Sequence, residues 1–254
     1  MIRIGLVGYT GRMGQLIAQS IQEGEDFVLS SIYKRDVSNL QVDGACVTDS
    51  WQEFLHHCEV VIDFSNHQAS EKLLREMNVC PKPLVIGTTG LSAETHLWMK
   101  EFAEKIPIVY TTNTSRGVAL LNQLSFWVSQ VLKDSDIEIV ELHHRHKKDA
   151  PSGTAMTLAQ ECARARGLRL EDVRISGRDG NIGERNENEI GVLSLRGGDI
   201  VGKHTIGFYC DGEYLELTHN ATSRKTFAIG ALEAAKWVIN QKHGLYSMKD
   251  VLSL

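Results

Sequence analysis

The sequence has little cysteine, no excess of positive charge and no long apolar run. Its five cysteines are an odd number, and no two lie within three residues of each other, so neither a disulfide framework nor a C-x-x-C metal site is indicated. The net charge of −5 argues against a protein that coats nucleic acid or an anionic membrane. No apolar run approaches the roughly eighteen residues of a membrane span. The apolar stretch at residues 1–8 is too short for the core of a signal peptide and is interrupted by glycine. We therefore predict a soluble cytoplasmic protein with reduced cysteines, which binds neither nucleic acid nor membranes.

The composition is that of an ordinary globular protein. The chain has 254 residues, of which 42% are hydrophobic and 23% charged. These values exclude a disordered or collagen-like chain. The length predicts one large domain or two small ones with ample buried core.

Short apolar runs alternate with helix-like segments up to about residue 112. The predicted strands are 2–7, 27–33, 60–64, 84–87 and 106–110, and the predicted helices lie at 13–21, 50–57, 68–77 and 93–104. Strands that alternate with helices of about ten residues indicate βαβ units. The first half is therefore predicted to be α/β, a doubly wound parallel sheet of the Rossmann type.

The pattern changes after residue 112. A long amphipathic helix at 118–132, a strand at 137–142 and a helix at 154–165 precede three strand-like runs, 190–195, 200–209 and 214–218. Strands without helices between them favour a mostly antiparallel or mixed sheet. This region is predicted to form a second, α+β domain, while the helix at 227–239 is expected to return to the first.

A glycine-rich turn follows the first predicted strand. Gly8, Gly11 and Gly14 open a helix, which is the context in which backbone N–H groups meet the pyrophosphate of a dinucleotide. A tight turn requires glycine for conformation alone, so this motif by itself is weak. Lys34 and Arg35 follow the second strand and favour the 2′-phosphate of NADPH, although Asp36 leaves NADH possible. A solvated turn would also be rich in lysine and arginine.

Two further loops lie at the carboxyl ends of predicted strands, at 87–90 and 111–115. Open α/β sheets bind ligands at this edge, and small hydroxyl and glycine residues let a flat nicotinamide ring approach the backbone. Taken singly, the glycine and hydroxyl residues of either loop are explained about as well by the needs of a tight turn as by a cofactor. Their matching positions favour the cofactor interpretation.

A strongly basic segment, residues 143–148, follows the strand at 137–142. Like charges about 4 Å apart repel by roughly 4 kcal/mol at an effective dielectric constant of 20, so an anion is the natural occupant. Pro151 and Ser152 then prepare a helix start, at which the N–H groups of Gly153 and Thr154 are suited to hold a carboxylate. Together these features predict a site for a small dianion.

Other interpretations of the basic segment are weaker. His143, His144 and His146 are candidate metal ligands, but their spacing is unlike that of zinc motifs and the neighbouring cations oppose a metal. As a nucleic-acid patch the segment is short and lacks nearby aromatic residues. A solvated turn remains a serious alternative for Arg145, His146 and Lys148.

The segment from Glu141 to Ala155 closely resembles the signature of the dihydrodipicolinate reductase family. The resemblance extends over essentially the whole chain and includes residues 8–14, 85–90, 183–185, 196–202 and 219–227. It implies NAD(P)H-dependent reduction of a cyclic dicarboxylate in the diaminopimelate route to lysine. The implied domains are a dinucleotide-binding domain, 1–113 with 222–254, and a substrate-binding and oligomerisation domain, 114–221.

The resemblance also implies roles for individual residues. It makes His143 the proton donor or acceptor and Lys147 a second proton donor, and it places the substrate on His144, Gly153 and Thr154. No metal is implied, and a homotetramer is expected. The implied contacts with NADPH or NADH are Gly8, Tyr9, Thr10, Gly11, Arg12, Met13, Lys34, Gly87, Thr88, Thr89, Thr111, Thr112, Asn113 and Thr114.

Two departures from the family pattern concern the cofactor. Tyr33 stands where members that use NADH well often carry an acidic residue, so we predict a preference for NADPH. Thr114 stands where a larger aromatic side chain is common. Two other classes remain open: a nucleotide-sensing regulator, for which His143 and Lys147 would be dispensable, and a different oxidoreductase, which would not need the residues from Lys147 to Thr154.

Overall fold

The computed structural model describes residues 1–254, which group into two units. The first unit combines two separate stretches of chain, Met1–Arg116 and Arg224–Ser253. The second comprises Gly117–Ser223 together with Leu254. No helix of the chain has the length and apolar character that crossing a membrane requires.

The first unit contains a seven-stranded sheet in which all strands are parallel. Its strands, numbered in chain order, are β1 (Ile2–Val7), β2 (Phe27–Tyr33), β3 (Cys46–Thr48), β4 (Val60–Asp63), β5 (Leu84–Ile86), β6 (Pro107–Tyr110) and β12 (Gly244–Tyr246). Their order is β3-β2-β1-β4-β5-β6-β12, which is the Rossmann order with one strand added. The prediction of a Rossmann-type parallel sheet is confirmed.

Helices cover the faces of this sheet. They are α1 (Arg12–Gln22), α2 (Trp51–His56), α3 (His67–Glu76), α4 (Ala93–Ala103), α8 (Lys225–Val238) and α9 (Met248–Val251). Ser50, Asn66 and Ser92 cap α2, α3 and α4 through side-chain oxygens that accept backbone N–H bonds. By contrast, α1 begins after Gly11 without a side-chain cap. The first backbone N–H groups of α1 therefore donate no hydrogen bond to a capping side chain and are available to a ligand.

The core of the first unit lies between the sheet and its helices. Every residue of β4 and β5 is buried, as expected for central parallel strands covered on both faces. Phe54 of α2 and Leu73 of α3 are fully buried against this sheet. Burial of each such side chain contributes about 1.5–3 kcal/mol, so this core fixes the strand ends at which the glycine turn stands.

The second unit is built on a sheet of five strands, and the prediction of a mostly antiparallel or mixed sheet is confirmed. Its strands are β7 (Asp136–His143), β8 (Arg174–Ile175), β9 (Ile190–Arg196), β10 (Gly202–Cys210) and β11 (Glu213–Ala221), in the order β11-β10-β7-β9-β8. β10 runs antiparallel to β7 and β11, whereas β9 is parallel to β7. The helices of this region are α5 (Arg116–Val131), α6 (Gly153–Ala165) and α7 (Leu170–Val173).

Burial alternates along β7 and decides which of its side chains face the core. Ile137, Ile139, Glu141 and His143 are buried, and the residues between them are only half-buried. Leu158 and Cys162 of α6 pack in the same core cluster as the two isoleucines. A carboxylate and an imidazole therefore continue the inward face that the isoleucines begin.

The strands and helices missing from the sequence prediction are all short. β3, β8 and β12 have three, two and three residues, and α7 and α9 have four each. Elements of this length are too short for period-2 or period-3.6 patterning to show. The returning helix, α8, belongs to the first unit, as the sequence predicted.

Candidate active site

The glycine turn between β1 and α1 is packed too closely for side chains. Gly8 has φ +90°, and a Cβ on it would lie 2.2 Å from the Phe64 carbonyl oxygen. A Cβ on Gly14 would lie 2.2 Å from the Gly8 carbonyl oxygen. Beside this tight turn, the uncapped N terminus of α1 presents N–H groups at Arg12 and Met13. This geometry suits the pyrophosphate of a dinucleotide.

A cavity of about 570 Å³ opens beside this turn. Of the residues predicted to contact a cofactor, it is lined by Gly8, Tyr9, Thr10 and Lys34. Its wall also contains Tyr33, Arg35, Asp36, Trp51, Asn66, Lys72 and Arg75. The cations from the end of β2 and from α3 thus share one cavity, which fits the phosphate-bearing end of a dinucleotide.

The loops after β5 and β6 lie at the same edge of the sheet. The Gly87 N–H donates to the Asp63 carbonyl at 2.9 Å, and the Thr111 N–H donates to the Ile86 carbonyl at 3.1 Å. A Cβ on Gly87 would lie 2.2 Å from the Phe64 ring. Neither loop lines the cavity, nor do Gly11, Arg12 and Met13.

The hydroxyl groups of these loops are used within the fold. Thr88 Oγ1 accepts from the Ser65 N–H at 3.0 Å, and Thr111 Oγ1 donates to the Asn113 carbonyl at 2.7 Å. Thr114 is 1% exposed and donates to the Phe227 carbonyl at 2.7 Å. Its side chain therefore anchors the start of α8.

The loop after β4 escaped the sequence analysis, although the same rule of strand ends applies to it. Asp63 is fully buried, and its carboxylate accepts from the Ser65 N–H, the Ser65 hydroxyl and the Ser70 hydroxyl. Burial raises the pKa of Asp63, and these hydrogen bonds act in the opposite direction. Asp63 thereby holds the 64–66 loop in place, and Ser65 and Asn66 of this loop line the cavity.

A buried network lies at the end of β7 in the second unit. His143 Nδ1 is 2.5 Å from Glu141 Oε2. The Glu141 side chain has no exposed surface, and Arg196 donates to both of its oxygens at 2.8 Å. The Ser152 N–H donates to Glu141 Oε1 at 3.1 Å. One carboxylate thus connects β7, β9 and the N terminus of α6.

Charges within this network shift its pKa values. Burial acts to raise the pKa of Glu141, but hydrogen bonds from Arg196 and His143 outweigh it and lower that pKa to about 2. Burial lowers the pKa of His143, and Glu141 offsets this only in part. His143 is therefore neutral at neutral pH while its Glu141 partner is ionised.

The other predicted substrate residues surround this network. Lys147 Nζ donates to Asp149 Oδ1 at 2.8 Å, and the Lys147 N–H donates to the His144 carbonyl at 3.1 Å. Ser152 caps α6 by accepting the Ala155 N–H at 3.2 Å, which leaves Gly153 and Thr154 as the first residues of the helix. The structure therefore brings the basic segment and a helix N terminus together.

Three further residues of this network had no predicted role: buried Glu141 and His204, and Arg196, whose side chain is 21% exposed. His204 Nε2 lies 3.0 Å from Ser152 Oγ, and its ring is 5.1 Å from that of His143. Alternation along β7 would have found Glu141, since it occupies an inward position two residues before His143. Arg196 falls in the 196–202 segment that resembles the family, but its ion pair with Glu141 depends on the pairing of β9 with β7. The place of His204 beside His143 likewise depends on the pairing of β10 with β7.

Comparisons with known proteins assign both halves of the chain to one family. Residues 2–114 match the family described as dihydrodipicolinate reductase, N-terminus, and residues 117–252 match its C-terminus. The 4-hydroxy-tetrahydrodipicolinate reductase of Helicobacter hepaticus is 56% identical, and that of Wolinella succinogenes 54%, each over 100% of both chains. A dipicolinate-bound dihydrodipicolinate reductase from Paenisporosarcina sp. TG-14 has a similar fold, with a TM-score of 0.80, 24% identity, and coverage of 98% of this chain and 99% of that one.

Proposed function

The chain belongs to the dihydrodipicolinate reductase family, and from this premise we propose which of its residues carry out the reaction. It reduces 4-hydroxy-tetrahydrodipicolinate to tetrahydrodipicolinate with NAD(P)H, in the diaminopimelate route to lysine. One hydride and one proton are added, and one water leaves. The observation that carries the proposal is the buried Glu141–His143 pair beside a cationic segment and a helix N terminus.

The substrate is a dianion, and the second unit offers it two kinds of donor. Gly153 and Thr154 present the N–H end of α6 to one carboxylate. His144 and Lys147 supply side-chain donors from the basic segment. Lys147 is paired with Asp149, so a substrate carboxylate would compete with Asp149 for the ammonium group.

His143 and Lys147 are the proposed proton-transfer residues. Loss of water takes a proton from the ring and gives one to the departing hydroxyl, and hydride addition then requires one further proton at the partner carbon. When bound, the nicotinamide cofactor supplies the hydride. A dianion beside His143 would raise the pKa of its ring, opposing the effect of burial, and so equip it to donate after it has accepted.

The cofactor is proposed to lie along the carboxyl edge of the parallel sheet. Gly8 to Met13 would hold the pyrophosphate, Lys34 would contact the ribose phosphate, and the loops Gly87–Thr89 and Thr111–Thr114 would border the nicotinamide. Lys34 and Arg35 in the cavity support a preference for NADPH over NADH. The backbone of Thr114 is the part available to the cofactor, because its side chain binds Phe227.

Assembly and location complete the proposal. β11 is an edge strand of nine residues on which Tyr214 is 67% exposed and Leu215 40% exposed. Such an edge favours association with further copies, and a homotetramer is proposed. Sedimentation equilibrium at several concentrations tests it. All five cysteines are free thiols, which supports a cytoplasmic location.

A coupled assay tests the catalytic assignment. The substrate is generated from pyruvate and aspartate semialdehyde by the preceding synthase, and oxidation of NADPH and NADH is followed. His143→Gln and Lys147→Ala should each lower kcat by about 100-fold or more while NADPH binding is retained. The matched controls, exposed His56→Gln and Lys133→Ala, should keep wild-type rates.

Two results would contradict the assignment. Wild-type protein that binds NADPH but oxidises none would instead be a nucleotide-sensing protein. Variants of His143 and Lys147 with full activity would leave the reaction in place but move the proton transfer to other residues.

A further inference from the structure

Glu141 is a carboxylate placed where a sheet normally buries an apolar side chain. It follows Ile137 and Ile139 on the inward face of β7 and has no exposed surface. Burial of an ion costs several kcal/mol unless hydrogen bonds and an opposite charge compensate it. A packing role alone would be served better by a third aliphatic residue, so the charge itself requires an explanation.

Three hydrogen bonds to Glu141 come from groups that only donate. Arg196 uses two guanidinium nitrogens at 2.8 Å, and the Ser152 backbone N–H lies at 3.1 Å. The fourth partner, His143 Nδ1, lies at 2.5 Å. An ionised carboxylate is acceptor-only, so His143 must carry its hydrogen on Nδ1.

The opposite edge of the same ring is left uncovered by a glycine. A Cβ on Gly202, at the start of β10, would lie 3.1 Å from His143 Nε2. With Nδ1 protonated and bound to Glu141, Nε2 bears the lone pair. The ring is thus fixed at one nitrogen and chemically open at the other.

We propose that Glu141 is a positioning residue that holds His143 in the Nδ1–H tautomer and so reserves Nε2 for the proton of the reaction. Arg196 completes the arrangement, because its two bonds keep Glu141 ionised and in register. Arg196 also donates to the Asp149 carbonyl at 2.6 Å, which links the pair to the loop that carries Lys147. This inference rests on the proposed role of His143.

The charged and titratable groups around His143 come from every neighbouring element. Glu141 lies on its own strand, Arg196 on β9, His204 on β10, and Lys147 in the following loop. Among these groups only Glu141 is anionic. Its removal therefore leaves the ring among cations and a neutral histidine, which should lower the pKa of His143.

The first measurement is the tautomer itself, read from protein labelled with ¹⁵N at histidine. His143 is assigned by comparison with His143→Gln, and its two nitrogen shifts distinguish Nδ1–H from Nε2–H. Wild-type protein should show the Nδ1–H form, and Glu141→Gln should show a mixture or the Nε2–H form. A wild-type Nε2–H form would overturn the proposal, whether or not the variant folds.

The second measurement is the pH profile of kcat/KM for the wild type, Glu141→Gln and a matched control. One limb of this profile should reflect His143 and should be absent in His143→Gln. In Glu141→Gln the midpoint of that limb should move by about one pH unit to lower pH, and kcat should fall about 10- to 100-fold. Glu138→Gln is the control, because Glu138 lies on the same strand and pairs with Arg178 and Arg185. In Glu138→Gln the His143 limb of the pH profile should lie at the same pH as in the wild type.

The outcomes separate this inference from the proposed function. A loss of rate in Glu141→Gln without a moved limb or a changed tautomer would mean a merely structural role and would overturn the inference. Full activity in His143→Gln would instead refute the role of His143, and with it the premise. The positioning role is supported if Glu141→Gln changes the His143 tautomer and shifts the pH profile of kcat/KM while Glu138→Gln leaves that profile unchanged.

Discussion

The Tyr33 ring lies flat against the Trp51 indole, with ring centroids 3.4 Å apart and planes inclined by 10°. Phe54 meets both rings edge-on, at 6.1 Å and 5.9 Å. Tyr33 and Trp51 also line the cavity that holds Lys34 and Arg35. The position at which an acidic residue would bind a ribose hydroxyl is thus occupied by part of an aromatic wall.

Trp51→Ala removes one half of this wall without changing its charge. Since the lost contact is apolar, KM for NADPH and for NADH should rise by the same factor, about 3- to 10-fold, which corresponds to 0.5–1.5 kcal/mol. Steady-state kinetics with each cofactor measures this. A selective effect on NADPH would contradict a purely apolar role for the stack.

Lys34→Ala and Arg35→Ala change the charge of the same cavity. Because a 2′-phosphate attracts both cations, KM for NADPH should rise about tenfold or more, while KM for NADH should change less than about twofold. Lys100→Ala, an exposed lysine on α4, is the matched control and should leave both constants unchanged. Equal rises for the two cofactors would refute the phosphate contact.

Gly14→Ala tests the close packing of the glycine turn. The new Cβ would meet the Gly8 oxygen at 2.2 Å and Tyr9 Cα at 2.6 Å, so the turn must shift. We expect a loss of about 1–3 kcal/mol in the free energy of unfolding and at least a tenfold rise in cofactor KM. In Gly24→Ala the new Cβ would be 3.5 Å from the Ser20 oxygen, an ordinary contact. Urea denaturation should therefore show little change there, and equal losses in both variants would refute the argument.

His204 should make stability depend on pH. Burial lowers its pKa from 6.5 to about 4. Since the folded pKa is the lower one, the unfolded chain binds the proton more readily, and stability falls as the pH drops from 6.5 to 4. The full contribution is about 3 kcal/mol. His204→Gln should flatten this part of the stability curve, measured by denaturation across that range, whereas exposed His56→Gln should not. An unchanged slope in His204→Gln would show that the pKa of His204 is the same in the folded and the unfolded chain, and would refute the argument.

The sequence predicts the first unit well because its signals are local. The Phe27–Tyr33 strand and the Ser50-capped α2 both stand where apolar runs and capping residues place them. β12 is different, because Gly244–Tyr246 becomes a strand only by pairing with β6. A three-residue segment carries no periodicity, so its pairing is a property of the folded chain.

The residues of the candidate site also differ in how far the local sequence predicts them. The basic segment that contains His143 and Lys147 is found from the sequence itself, because a run of cations directly after a strand is unusual. The role of Lys147 is implied only by the family resemblance. The contact of Arg196 with Glu141 and the place of His204 beside His143 become evident only when β9 and β10 lie on either side of β7. Glu141 stands between these cases, because alternation places it inward but no local rule explains a carboxylate there.

The interrupted course of the first unit determines the order in which this protein is able to fold on the ribosome. The glycine turn and six strands of its sheet are synthesised first, yet β12 and α8 follow only after the whole second unit has been made. Apart from Leu254, the second unit is one continuous stretch of chain with its own core, so it is able to fold while the parallel sheet of the first unit still lacks its last strand. The Glu141–His143 pair thus lies in a stretch of chain that is synthesised before the parallel sheet of the first unit receives β12.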